Sequence, residues 1–208
     1  MSNNYKPLPK EFYLSNDVCQ LAQLLLGKYL ISKIDKKLCV TKIVETEAYK
    51  APEDKGSHAY NNKITARTNT MFAEGGRSYV YLCYGIHNMF NVVTGPTGTA
   101  HAILVRAVEP IFGIKFIAER RNIKDIKNLT NGPGKVCHAL GITREDNNKQ
   151  LYLDNKKIYL ADNNPLNTKD IYKGPRVGIA YAEECANWPF RFYIKDNPWV
   201  SHPKIVKY

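Results

Sequence analysis

The sequence predicts one α+β domain, an antiparallel sheet with helices packed outside it. Three observations point there. Runs with strand-like alternation are joined by short connections, which favours antiparallel pairing. No internal repeat and no domain linker interrupts the chain. Its 208 residues, 44% of them hydrophobic, can bury one sizeable core.

The elements follow in order. Residues 1–14, with Pro7 and Pro9, read as a flexible N-terminal arm. Ser15, Asn16 and Asp17 offer an N-cap, and Val18, Leu21, Leu24 and Leu25 keep helical spacing up to a stop at Gly27. Residues 29–34 and 39–49 form a hairpin through Asp35-Lys36-Lys37. The polar stretch 50–70 reads as a long loop of the kind that carries function. Strands follow at 78–84, 88–94 and 102–107, separated by Gly85 and by Gly95-Pro96-Thr97-Gly98. Residues 110–121 read as a helix with Ile111, Ile114 and Ile117 on one side. Gly132-Pro133-Gly134 opens another over 135–140, ended by Gly141. Residues 144–173, polar and Asn-rich, read as a peripheral excursion, and 177–181 and 190–194 as closing strands.

Charge narrows the partner. Thirty Lys and Arg against 19 Asp and Glu give a formal net charge of +11. That favours a polyanion, with nucleic acid ahead of an acidic membrane surface. The five cysteines are widely spaced with no C-x-x-C pair, so neither a zinc knuckle nor a disulfide framework is supported. The N-terminus lacks the apolar run of a signal peptide, and no apolar stretch approaches the ~20 residues that cross a bilayer. The expectation is a cytoplasmic protein, nucleoid-associated if bacterial, with no membrane partner.

The chemistry concentrates in two strands. Period-two geometry places Ile43, Glu45, Glu47 and Tyr49 on one face and Val44, Thr46 and Ala48 on the other, with the two carboxylates about 6.5–7 Å apart. Such a pair is either a solvated edge-strand face or a general base beside a structural acid. Tyr49 favours the second, since a stacking ring and a base would then line one pocket. Tyr79 and Tyr81 also share a face, and Tyr84 before Gly85 falls at a turn tip, where a wedge into a duplex must sit. Strand tyrosines otherwise simply pack. His58 stands alone in the polar loop. Asn91 could read a base edge, and Arg106 could hold a phosphate or orient a water. Asn131-Gly132-Pro133-Gly134-Lys135 fails the nucleotide-loop pattern, because Leu129 and Val136 stand where Gly and Ser or Thr are required. A helix start with Lys135 can still grip one DNA phosphate. Stacking rings and a water-activating carboxylate on a basic chain point to an enzyme acting on a base taken out of a nucleic-acid helix.

Taken together the segments resemble a known family. Val44-Glu45-Thr46-Glu47-Ala48-Tyr49, Pro52-Glu53-Asp54, His58, Arg67-Thr68-Asn69, Met71-Phe72, Tyr79-Val80-Tyr81 with Tyr84-Gly85, and Asn91 are similar to the alkyladenine (3-methyladenine) DNA glycosylases. Leu104–Pro110, Gly132-Pro133-Gly134-Lys135, Pro175-Arg176-Val177-Gly178 and Pro198-Trp199-Val200-Ser201 extend the likeness, in order, from about Leu25 to Ser201. The resemblance implies a curved antiparallel sheet and a single glycosylase domain over 15–208. It implies a monofunctional enzyme of base excision repair that flips damaged purines from double-stranded DNA and hydrolyses the N-glycosidic bond. Glu47 matches the general base and Arg106 a residue that positions the water. Tyr49, His58 and Tyr81 match the base pocket, Tyr84 the wedge, and Asn91 the residue that clashes with the amino group of guanine. Glu45 has no catalytic counterpart there. No metal and no organic cofactor is implied, and a monomer is expected.

Other classes remain open from the residues. A glycosylase/lyase would need a Lys nucleophile in an apolar setting beside the tyrosines, and none is evident. A metal-dependent nuclease would use Glu45, Glu47 and Asp54 as ligands. A non-catalytic basic nucleic-acid-binding module would only stack its tyrosines on single strands.

Overall fold

The computed structural model describes residues 5–154 and 156–202. The strands are β1 (Tyr29–Ile34), β2 (Lys37–Tyr49), β3 (Ser78–Cys83), β4 (His87–Thr94), β5 (His101–Phe112), β6 (Ile158–Ala161), β7 (Ile171–Gly174) and β8 (Arg191–Ile194). They form one open antiparallel sheet in the order β3-β4-β5-β2-β1-β6. β2 is the hub. One edge pairs with β5, and the other is shared by β1 against 37–42 and β8 against 45–47, with β7 outside β8. Helices α1 (Val18–Leu25), α2 (Ile114–Arg121) and α3 (Pro133–Leu140) pack on this sheet, giving the predicted α+β class.

Local chemistry explains most boundaries. Asp17 accepts from the Gln20 amide at 2.9 Å and starts α1, whose Val18, Leu21, Ala22 and Leu25 are buried. Leu24 faces outward at 45% exposure. Asp35 and Lys36 both take positive φ, 50° and 62°, the two-residue turn that suits a hairpin. β2 therefore begins at Lys37, earlier than expected. Pro133 at the first turn and Gly141 in the left-handed region (φ 62°) bound α3.

Four expectations are corrected. Residues 110–112 continue β5 instead of opening a helix, because Pro110 and Phe112 pair with Thr41 and Val40. Gly113, at φ 77°, makes the turn into α2, so Ile117 is buried while Ile111 and Ile114 are exposed. The stretch 144–173 is not peripheral. It supplies β6, buried throughout beside β1, and β7. Residues 177–181 are not a strand but an irregular segment leading into 3-10 turns over Ala180–Asn187. The described part of the N-terminal arm lies on the sheet, with Leu8 and Tyr13 buried and the Leu8 amide bonded to Leu160 O.

The fold's main contribution to the site is a pair of bulges. Ile43 opposes Val108 and Glu45 opposes Ala107, leaving Val44 as an extra residue in β2. Thr46 then opposes Val105, leaving Arg106 as the extra residue in β5. Strict alternation therefore fails at Val44. Ile43 joins the core cluster that holds Ala48, and Val44 packs with Ala107, Tyr193 and Val200. The bulge in β5 re-aims Arg106 toward the carboxylates of β2.

Candidate active site

Glu45 and Glu47 are wholly buried, and Arg106 bridges them. Its Nε lies 3.2 Å from Glu45 Oε1 and its Nη1 3.3 Å from Glu47 Oε1. The two acids then diverge. Glu45 also accepts from Arg191 Nε at 2.7 Å and from the Ser201 amide and hydroxyl at 2.8 and 3.0 Å. Glu47 accepts from the Val177 amide at 2.7 Å on Oε1 and from the Tyr49 hydroxyl at 2.8 Å on Oε2. A carboxylate offers about four acceptor positions. Glu45 accepts from four protein donors, three of them on Oε1, whereas Glu47 accepts from three and keeps a position on Oε2. Burial lowers the Arg106 pKa, but the charges of Glu47 and Glu45 outweigh it and hold the guanidinium above its ordinary value. Burial and then the Glu47 charge push the Tyr49 phenol well up, so it stays a donor to Glu47.

Beside this centre lies a cavity of about 230 Å³. Ligand pockets for drug-sized molecules start near ~300 Å³, so this one suits a single heterocycle. Tyr49, Arg106 and Val177, the three partners of Glu47, line it together with His58, Tyr79, Tyr81 and Asn91. Arg176 supports Tyr49 from behind. Its guanidinium lies 4.7 Å from the Tyr49 ring centre, makes a two-pronged pair with buried Asp54, and donates to Ala48 O and Cys185 O. Asn91 is fixed by its Nδ2, which donates to Tyr79 O at 3.0 Å.

The opposite wall is aromatic. The rings of Tyr79 and Tyr81 sit 5.4 Å apart, and His58 meets Tyr81 edge-on at 4.6 Å. Arg67 donates to His58 Nε2 at 3.0 Å, so the imidazole carries its proton on Nδ1 and donates to the Tyr79 hydroxyl at 2.8 Å. Burial, and secondarily the Arg67 charge, lower the His58 pKa to about 4. The unfolded imidazole binds its proton near 6.5, so between these values the unfolded state holds more protons. Stability therefore falls as pH drops from about 6.5 toward 4, and this loss levels off below it. His58→Gln should flatten that part of the urea-midpoint profile relative to the wild type. Parallel profiles for the two proteins would contradict it.

The expected site residues thus fall into three places. Arg106, Tyr49, His58, Tyr81 and Asn91 line the cavity, and Glu47, wholly buried, lies behind Arg106 and Tyr49. Tyr84 stands at the rim on the β3–β4 turn, 90% exposed and at φ 50°, followed by Gly85 at φ 73°. A bulky side chain held there carries strain of the sort found at functional positions. Lys135 is not brought into the cavity. It lines a neighbouring groove with Ile86, His87 and Arg121, and its ammonium bonds Asn131 Oδ1 at 2.7 Å. Arg67, Arg176, the Val177 amide and Tyr181, which also lines the cavity, carried no role in the sequence reading, and Asp54 entered it only as a metal ligand of the nuclease alternative. Arg67 and Arg176 stood inside motifs that pointed at them, but a backbone amide leaves no residue-type signal. The three carboxylates that a metal-dependent nuclease would use are each held by a guanidinium.

Comparison with known proteins identifies the family. Residues 11–198 match the family model described as methylpurine-DNA glycosylase (MPG). A Bacillus mycoides (strain KBAB4) protein is 44% identical over 201 residues, covering 93% of this chain and 98% of its own length. A Clostridium botulinum (strain Alaska E43 / Type E3) protein is 43% identical over 202 residues with the same coverage. Both carry the name "Putative 3-methyladenine DNA glycosylase". With a family match spanning nearly the whole chain, the protein belongs to the methylpurine-DNA glycosylase family and is a DNA-repair hydrolase of N-glycosyl bonds.

Proposed function

We propose that this enzyme rotates a damaged purine, such as 3-methyladenine, out of duplex DNA into the cavity and hydrolyses its N-glycosidic bond with water activated by Glu47. The observation that carries the reading is the unequal use of the two buried acids. Glu45 accepts from four protein donors, of which only Arg106 reaches the cavity, while all three partners of Glu47 line a cavity of single-base size. A water there would give its proton to Glu47 while Arg106 fixes the carboxylate. The sugar passes through an oxocarbenium-like state, which the carboxylate charge also stabilises. Tyr49 and Tyr81 offer ring faces to the base, and rigid Asn91 resists a bulkier purine edge. Among the described residues no helix is long and apolar enough to cross a membrane. We read the enzyme as a monomer on DNA, with Lys135 at a phosphate.

The test is release of free base from a duplex carrying one alkylated purine. Release by the wild type supports the reading. Tight binding without release would favour the non-catalytic module.

Tyr84 gives a second prediction. Tyr84→Ala removes an exposed ring that makes no core contact, so thermal stability should hold. Release from duplex should fall about tenfold or more, because unstacking costs a few kcal/mol that the ring no longer helps to offset. Release from single-stranded DNA should fall much less. Equal losses on both substrates would remove the wedge assignment.

A further inference from the structure

The charges around the cavity are almost fully matched. Glu45, Glu47 and Asp54 face Arg106, Arg191 and Arg176 in buried pairs. Arg67 is the exception among the charged residues lining the cavity. Among the described residues no carboxylate lies within ion-pair distance of it. Its guanidinium instead sits 4.7 Å over the Tyr81 ring and gives one N–H to His58 Nε2. It also lies within hydrogen-bonding reach of the Tyr79 hydroxyl, and its remaining N–H groups form a planar fork suited to a carbonyl edge.

We infer that Arg67 is a specificity-determining residue that favours uncharged damaged purines bearing an edge carbonyl over purines made cationic by alkylation. Two effects combine. A cationic base must share the aromatic wall with a guanidinium that already occupies the attraction of the Tyr81 face, and it meets an unneutralised like charge. A neutral 6-oxopurine instead accepts hydrogen bonds from that fork. His58 cannot do this job. Its Nε2 lone pair is taken by Arg67, and its remaining proton goes to Tyr79. Asn91 then limits the set to 6-oxopurines without a bulky 2-substituent, of which hypoxanthine is the simplest probe.

The inference rests on the glycosylase reading, and single-turnover base release separates the two. Duplexes carrying hypoxanthine or 3-methyladenine, which is cationic and has neither an edge carbonyl nor a 2-substituent, would be compared for wild type, Arg67→Met and Arg67→Lys, with the salt dependence of binding measured alongside. The expected result is a release-rate ratio, hypoxanthine to 3-methyladenine, at least tenfold lower in Arg67→Met. Hypoxanthine release should fall and 3-methyladenine release should rise. Arg67→Lys, which keeps the charge but loses the fork, should lower hypoxanthine release without raising that of 3-methyladenine. An unchanged ratio overturns the inference. So does a parallel fall on both substrates with a salt slope reduced by about one, which would make Arg67 a phosphate ligand. A wild type that releases 3-methyladenine but not hypoxanthine overturns the inference and leaves the glycosylase reading standing. Release of neither base removes both.

Discussion

Glu47→Gln should lower base release by about 10²–10⁴-fold, the range typical of losing a general base, while damaged-duplex binding persists. The amide nearly matches the carboxylate in shape. Its oxygen can still accept from the Val177 amide, and the Tyr49 hydroxyl can turn to accept from the new NH₂. What disappears is the acceptor position on Oε2 and the negative charge beside the sugar. Losing this charge leaves the buried group of Glu45, Glu47, Arg106 and Arg191 at +1, which lowers stability, although Arg106 keeps its contact with Glu45 at 3.2 Å. Thermal unfolding checks that the fold survives. Glu47→Asp separates chemistry from placement, since it keeps the base but draws it back by one methylene. A misplacement of about 1 Å can cost ~10²-fold, so Asp should fall between wild type and Gln. Turnover by Glu47→Gln within tenfold of wild type would remove the general-base assignment.

The parts of this site that were legible in the sequence are those set locally. Asp17 caps α1, Asp35-Lys36 turns the first hairpin, and Tyr84-Gly85 makes the exposed tip that a wedge requires. Glu47 and Tyr49 share a face because no irregularity lies between them. The alternation breaks one step earlier. Whether β2 bulges at Val44 depends on β5, some 60 residues on, which bulges at Arg106 in answer. That long-range register also decides why Arg106 reaches two acids at once. The supports of Tyr49 were illegible for the same reason: Arg176 and Asp54 are 122 positions apart in sequence and meet only when the loop after β7 folds over β2. β6 misled because a polar neighbourhood hides four buried residues that close the sheet beside β1.

The largest stability effect is expected at Glu45, which the chemistry does not use. Its carboxylate is wholly buried, touches two guanidinium groups, and ties the Ser201 backbone to the centre of the sheet. Glu45, Glu47, Arg106 and Arg191 together carry no net charge. Glu45→Gln leaves that group at +1 inside the protein, and removing one partner of a buried pair typically costs about 3–5 kcal/mol. Arg191→Met leaves it at −1 and should cost a similar amount, with the Ser201 carbonyl also losing a donor at 3.2 Å. The double variant restores neutrality. Its loss in urea unfolding should therefore be well below the sum of the single losses, by more than the ~0.5 kcal/mol within which independent sites add. Additivity would mean that the two residues act separately and that Glu45 does not balance the charge beneath Glu47. Activity measured on the folded fraction adds a second reading. Arg106 in Glu45→Gln is charge-paired by Glu47 alone, so release should weaken without vanishing. That partial loss distinguishes an acid that positions the catalytic pair from one that takes the proton.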